Sequence, residues 1–152
     1  MNGNDGTGNN VNRDDWETPQ ELWEKLNEQY IFTVDCCASK QNTKCPLWFD
    51  IFESKLWEDN KIHWINPPFS KADQMIKHFF KVVKKGVGIY RCDNIETSLW
   101  NFILIKADWV HIIKGRTNYV GHEGKGARFG SALFGIGLPP PKGINGVTVK
   151  KI

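Results

Sequence analysis

The sequence predicts an α/β fold: a mostly parallel sheet with helices on both faces, carried in one domain. Three observations lead there. Short β-prone apolar runs alternate with segments patterned as helices, the order expected of strands joined by helical crossovers. One run (Ile62, Trp64, Ile65) meets a rigid turn, Asn66-Pro67-Pro68-Phe69, and then a helix-start signal from Ser70 to Asp73. That order sets the turn at the C-terminal rim of a sheet, where open α/β folds hold their ligands. At 152 residues the chain is long enough for one core and too short for two.

Residues 1–14 are rich in Asn and Gly and nearly devoid of apolar side chains, so they are expected as a disordered tail. The domain proper is expected over 15–141, with 142–152 a C-terminal tail bearing a turn signal at Asn145-Gly146. Thr18-Pro19-Gln20-Glu21 has the pattern of a capping box with Pro at the first helical position, and Leu22, Leu26 and Tyr30 mark one face of the helix that follows. Ile31–Cys37 is the first strand, ending near Asp35, with the small residues Ala38 and Ser39 in its rim loop. Residues 40–60 are irregular, with Pro46 interrupting them and one short strand at Leu47–Asp50, so this edge of the sheet is reduced. Lys61–Ile65 feeds the diproline turn. Ser70-x-x-Asp73 caps a helix with Met75, Ile76, Phe79, Phe80 and Val83 inward, Lys84 and Lys85 at its negative end and Gly86 at C′. Val87–Tyr90 is the next strand and Arg91–Asn94 its rim loop, before a helix over Ile95–Lys106. Trp109–Ile113 is another strand, Gly130–Gly137 the last one, and Pro139-Pro140-Pro141 stops it.

Hydrophobic residues at 40% and charged ones at 24% place the chain among ordinary soluble proteins. A net charge of +3 permits a polyanionic partner without demanding one, so where the charge sits matters more than its sum. Apolar stretches fall short of a membrane span and the N-terminus lacks a signal peptide's apolar core, so a cytoplasmic setting is expected. Cys36, Cys37, Cys45 and Cys92 have spacings that match no zinc pattern. They read as reduced, buried thiols, and no metal is expected.

Each residue of the turn has a chemical use. Asn66 offers an amide oxygen as acceptor, and the prolines carry no N–H that could compete as donors. Pro68 also restricts Pro67 to extended geometry, which fixes where the Pro67 carbonyl points. Two fixed acceptors beside the Phe69 ring suit a planar –NH2 on a stacked ring, the exocyclic amine of a nucleobase. A proline-stiffened turn after a strand is the structural alternative. A second segment is rich in cations: Lys114, Gly115, Arg116, Tyr119, His122, Lys125, Gly126, Arg128 and Phe129, with Glu123 the only acid in that span. Glycine-spaced cations with interleaved aromatics suit a flexible loop on a sugar–phosphate backbone. Arg91, at a strand end on the same rim, suits phosphate contact or pairing with a nearby acid.

The order Trp16-Glu17-Thr18-Pro19, then Asp35-Cys36-Cys37-Ala38-Ser39, then Asn66-Pro67-Pro68-Phe69 resembles the phage-type DNA N6-adenine methyltransferases. The tetrad itself matches the [Asp/Asn/Ser]-Pro-Pro-[Tyr/Phe/Trp] motif of amino-methyltransferases, and the likeness runs from about Asp15 to the strand near Phe134. It implies a reduced Rossmann-like, S-adenosylmethionine-dependent methyltransferase fold whose last strand is antiparallel. It implies S-adenosylmethionine as cofactor and DNA, expected double-stranded, as partner. Trp16, Thr18 and Pro19 are then expected at the methionine end of the cofactor, Asp35 at its ammonium, and Cys37 and Ala38 where the wider superfamily has glycines. Asp50 is expected at the ribose hydroxyls, with Asp59 and Glu53 competing for that role. Arg116 and Tyr119 match the family's Arg-x-x-Phe/Tyr, whose aromatic is expected to face the extruded base opposite Phe69.

The implied reaction is methyl transfer to adenine N6, with Asn66, Pro67, Pro68 and Phe69 catalytic, and with neither general base nor metal. Arg91, Lys114, Arg116, Tyr119, Lys125 and Arg128 are the expected nucleic-acid contacts. N4-cytosine or protein-glutamine methylation stays open, as does a nucleic-acid-binding relative without activity. Oligomeric state is not readable.

Overall fold

The computed structural model describes residues 2–4, 10–12, 17–37, 44–45, 47–48, 61–120 and 126–151. Strands β1 (Asn2–Asn4) and β2 (Asn10–Asn12) form a small antiparallel pair of their own. Then come α1 (Gln20–Tyr30), β3 (Val34–Asp35), β4 (Leu47–Trp48), β5 (His63–Ile65), a 3-10 turn at Phe69–Lys71, and α2 (Ala72–Val82). The chain continues with β6 (Gly86–Arg91), α3 (Ser98–Lys106), β7 (Trp109–Val120), β8 (Gly126–Ile136) and β9 (Gly146–Lys150). The main sheet has seven strands in the order β4-β3-β5-β6-β8-β7-β9.

The α/β class is borne out, but the mostly parallel sheet is not. Parallel pairing is confined to β4, β3, β5 and β6. The longest ladders, β6 to β8 and β8 to β7, are antiparallel, as is β7 to β9. The reason lies in the segment expected as a flexible basic loop. Thr117 and Tyr119 are buried and Phe129 is half-buried, so an alternating inward pattern continues through it and β7 and β8 run on as a long hairpin. Gly115, at φ 78°, sits where the register shifts between Ile112 and Arg116; it makes a bulge rather than a loop start. Nor is β8 the last strand, because residues 142–152, expected as a tail, contribute β9, all of whose residues are exposed.

Helices cover both faces of the sheet. On one face Trp23, Leu26 and Tyr30 of α1 pack against Trp64, Val87, Ile89 and Leu133. On the other, Ile76 and Phe79 of α2 with Trp100 and Ile103 of α3 pack against Ile65, Val110 and Phe134. Neighbours such as Trp64 and Ile65 therefore point to opposite cores, which is why β5 is apolar without alternation. No described helix is long and apolar enough to cross a membrane.

Three helix-end expectations are corrected. Pro19 sits at the N-cap of α1 with no side-chain cap, so the capping box does not form. Lys71, not Ser70, precedes α2, again without a side-chain cap, while Asp73 pairs with Lys77 at 3.1 Å. Gly86 begins β6 instead of ending α2; a Cβ there would lie 2.7 Å from the Phe79 ring, so the glycine answers a packing need.

Helix α1 ends on Ile31, a β-branched residue at φ 54° whose N–H bonds the Asn27 carbonyl at 2.9 Å. The left-handed region costs an L-residue about 1–2 kcal/mol, and Ile31 is 69% exposed, so it recovers little by burial. Ile31→Gly is expected to stabilise the protein by about 1 kcal/mol, read as a higher denaturation midpoint. A lowered midpoint would reject this account of the α1 terminus.

Candidate active site

The centre of the site is the turn that leaves β5. β5 is buried along its length, and Asn66 follows it directly at the sheet's rim. Pro67 is buried, and Pro68 is extended at φ −61°, ψ 140°, before the 3-10 turn. The Lys71 N–H bonds the Pro68 carbonyl at 3.1 Å, closing the turn onto α2. The Asn66 Nδ2 donates to the Thr18 hydroxyl at 3.0 Å. Because an amide carries its nitrogen and oxygen on opposite sides, this bond turns Oδ1 away from Thr18. Thr18 is 1% exposed, so its hydroxyl is spent on Asn66 and not on the helix terminus.

Phe69 stands in a cage of aromatics. Its ring meets Phe129 at 5.6 Å, Tyr90 at 5.7 Å and Tyr119 at 6.5 Å, each edgewise. The Arg91 guanidinium lies 4.3 Å from the centre of the Phe129 ring and 5.5 Å from that of Phe69. Arg91 also pairs with Asp93 at 2.9 Å, and Asp93 accepts the Gly130 N–H at 3.0 Å, tying the end of β6 to β8. The Tyr119 hydroxyl is bonded to Ser131 at 2.8 Å, and burial pushes its pKa far above the usual phenol range. Tyr119 therefore belongs to Phe69's own cluster. Beside it lies a pocket of about 200 Å³ lined by Tyr90, Arg91, Asn94, Thr97, Leu99 and Trp100.

On the other side of the turn, Asp35 ends β3 and is 5% exposed. Its carboxylate accepts the Lys44 N–H at 3.2 Å and the Cys37 N–H at 3.3 Å. Burial nevertheless raises its pKa to about 6, because desolvation of the charge outweighs those two bonds. The half-buried Cys37 lies with its sulfur 3.5 Å from Met75 Sδ. Burial raises the Cys36 and Cys45 thiols, which favours the protonated form. Among the described residues no group of His, Cys, Asp and Glu is arranged to hold a metal ion.

The structure thus gathers Thr18, Asn66, Pro67, Pro68, Phe69, Arg91 and Tyr119 into one connected region. Pro19 borders it at the start of α1, and Asp35 and Cys37 lie at the neighbouring strand end. Lys114, Arg116 and Arg128 are exposed on the β7–β8 hairpin, where Arg116 Nη1 bonds the Arg128 carbonyl at 3.3 Å. Trp16, Ala38, Asp50 and Lys125 lie outside the described residues. Sequence reasoning missed Tyr90, Asp93 and Ser131 as parts of the site. The available signal was positional: Tyr90 precedes Arg91 at a strand end, and Asp93 follows it in the rim loop.

A family model described as DNA N-6-adenine-methyltransferase (Dam) matches residues 6–133 of the chain. A DNA N-6-adenine-methyltransferase of Escherichia phage T1 is 35% identical over 69 residues, which is 43% of this chain and 29% of that protein. The matched stretch thus spans less than a third of the phage relative's length.

The Asp35 shift makes stability depend on pH with a definite sign. A carboxyl raised from 3.8 to about 6 favours the fold in its protonated form, so that contribution is complete below about pH 4 and is lost as pH rises through 6. Asp35→Asn removes the dependence. Between pH 4 and pH 7 the difference in unfolding free energy should move in the variant's favour by on the order of 2–3 kcal/mol. A difference that stays constant across that window would show that burial does not govern this carboxyl.

Proposed function

Because the chain belongs to the DNA N-6-adenine-methyltransferase (Dam) family, we propose that it transfers the methyl group of S-adenosylmethionine to the exocyclic amine of an adenine in DNA. The observation that carries this reading is the Asn66 amide, held by Thr18 at 3.0 Å in a rim turn whose next two residues cannot donate. The underlying fold is read as a reduced Rossmann-like methyltransferase. In support, β8 is antiparallel to both β6 and β7, so β7 runs in the same direction as β5 and β6.

Adenine's amine is a poor nucleophile because its lone pair is spread into the ring, and in a duplex it is out of reach. Extruding the base costs a few kcal/mol. Stacking on Phe69 returns part of this, at about 1–3 kcal/mol per base–aromatic contact. The Asn66 Oδ1 and the Pro67 carbonyl accept the two N6 protons. As the nitrogen pyramidalises and becomes positive these bonds strengthen, so the fixed dipoles stabilise the transition state more than the bound base. Neither oxygen is basic enough to remove a proton first, so the methylated nitrogen carries the positive charge and gives up its proton to solvent water after the methyl group has arrived.

When bound, S-adenosylmethionine supplies a methyl group activated on a sulfonium. The residues present fit it. Among the described residues Asp35 has two N–H partners, fewer than the roughly four a carboxylate can take, which leaves acceptor capacity for an ammonium. Its raised pKa marks a site where a cation would restore the ionised form. Thr18, Pro19, Cys37, Trp16 and Ala38 complete the methionine side in this reading, and Asp50 takes the ribose. The exposed cations Lys114, Arg116 and Arg128 favour nucleic acid over a protein-glutamine substrate.

Labelled methyl transfer to unmethylated DNA, followed by nucleoside analysis, tests the reading. The expected product is N6-methyladenine, reduced by about 100-fold or more in Asn66→Ala. Label in cytosine or in protein overturns the assignment. Cofactor binding without transfer points to the inactive relative. Thr18→Val should lower kcat by about 10-fold through the unanchored Asn66 amide while leaving KM for DNA unchanged, and Thr18→Ser should restore it. Equal losses in both variants would remove Thr18 from that role.

A further inference from the structure

We propose that the outer halves of β7 and β8 form a two-stranded ribbon that enters the major groove of the substrate duplex, with Arg116, Asn118 and Arg128 as its base-reading side chains. The inference rests on the adenine-methylation reading for its substrate, but on different residues and different geometry.

The ladder from β6 to β8 ends at Arg91 and Ser131, and the ladder from β7 to β9 ends at Ile113 and Gly146. Beyond those points Arg116–Val120 pairs with Gly126–Gly130 and with no other described strand. Since β7 runs in the direction of β5 and β6, this two-stranded part leaves the sheet at the rim that carries Asn66–Phe69. A two-stranded β-ribbon is one of the elements that a groove about 12 Å wide admits.

The ribbon's two faces differ in kind. Thr117, Tyr119 and Phe129 point inward, and Tyr119 and Phe129 pack on Phe69. Arg116, Asn118 and Arg128 are exposed. Asn118 is paired across the ladder with Arg128, and Arg116 lies two positions before Asn118, so all three side chains project from one face. Neither strand contains an acidic residue.

The residue types favour reading over simple charge neutralisation. A guanidinium fork matches guanine O6 and N7, and an Asn amide matches adenine N6 and N7. A guanidinium also binds phosphate, so the discriminating residue is Asn118, whose uncharged amide adds nothing to charge neutralisation but matches a base edge. The placement is also rigid. The Tyr119–Ser131 bond of 2.8 Å and the Phe69–Phe129 contact of 5.6 Å hold the ribbon at a fixed offset from the catalytic turn. Bases read by the ribbon are thereby registered with the base to be methylated. Arg116 spends one donor on the Arg128 carbonyl and keeps its others for a ligand.

The test is selection of bound duplexes from a random-sequence DNA pool by the full-length protein in the presence of S-adenosylmethionine. The wild type should enrich a short motif containing guanine. Arg116→Gln, Asn118→Ala and Arg128→Gln should each relax a different position of that motif, by about 10-fold or more in relative affinity, and leave the others intact. These side chains are exposed, so the variants are expected to fold. A motif unchanged in all three variants, a uniform loss of affinity with a shallower salt dependence, or no motif at all overturns the proposal. Selection of a motif without methyl transfer would leave the ribbon standing and reject the catalytic reading instead.

Discussion

An asparagine amide can present its oxygen to a substrate only when something else determines which way the amide faces. Here a buried threonine from the segment before α1 holds the nitrogen of Asn66 at 3.0 Å. Two distant parts of the chain must therefore meet before the rim turn has a defined chemistry. α1 is packed onto the sheet through Trp23, Leu26 and Tyr30, and Trp23 is stacked at 5.1 Å on Phe32, so the position of Thr18 is tied to the core of one face. The prolines after Asn66 then remove donors and conformations that could compete. The remaining freedom of the turn is small, which is what the proposed stabilisation of a transition state by fixed dipoles requires.

The aromatic cluster solves a second problem, that of linking the turn to strands on its far side. Phe69 touches Tyr90 of β6, Tyr119 of β7 and Phe129 of β8, and the Arg91 guanidinium covers Phe129 at 4.3 Å. The Trp100 indole N–H bonds the Arg91 carbonyl at 2.7 Å, so α3 also holds the backbone at this point. Arg91 was expected to touch phosphate or to pair with an acid. It does pair with Asp93, and its stacking on aromatic rings makes it part of the wall as well.

Legibility followed the local physics of each segment. β5, the turn and α2 were readable because an apolar run, two prolines and a helical stripe are local signals. Locally Thr-x-x-Glu favours a helix cap at Thr18, while the family resemblance sets the same residue at the methionine end of the cofactor. Asn66, forty-eight residues away, took its hydroxyl instead, and no local pattern announces such a contact. The stretch from Lys114 to Phe129 was read as a loop because its glycines and cations are conspicuous. The inward alternation of Thr117, Tyr119 and Phe129 carried the opposite message. β9 does carry a local signal, the β-branched Val147-Thr148-Val149 after an Asn-Gly turn, but all of its residues are exposed, so that pattern points to no buried face. Its place is set by pairing with β7, a long-range fact.

The division of labour between short and long strands follows from these placements. β3 and β5 are two and three residues long, which is enough to aim Asp35 and Asn66 at neighbouring points of one rim and too little to hold a sheet by their own ladders. β7 and β8 supply the extended pairing, and their outer halves rise past that rim. The inward face of this extension completes the wall around Phe69, while its outward face displays Arg116, Asn118 and Arg128. One hairpin thus contributes both to the packing around Phe69 and to an exposed cationic face. Because Tyr119 and Phe129 alternate with the exposed positions along the same strands, a one-residue slip in register would bury the arginines and expose the aromatics. The aromatic wall around Phe69 and the exposed face bearing Arg116, Asn118 and Arg128 are therefore specified together or not at all.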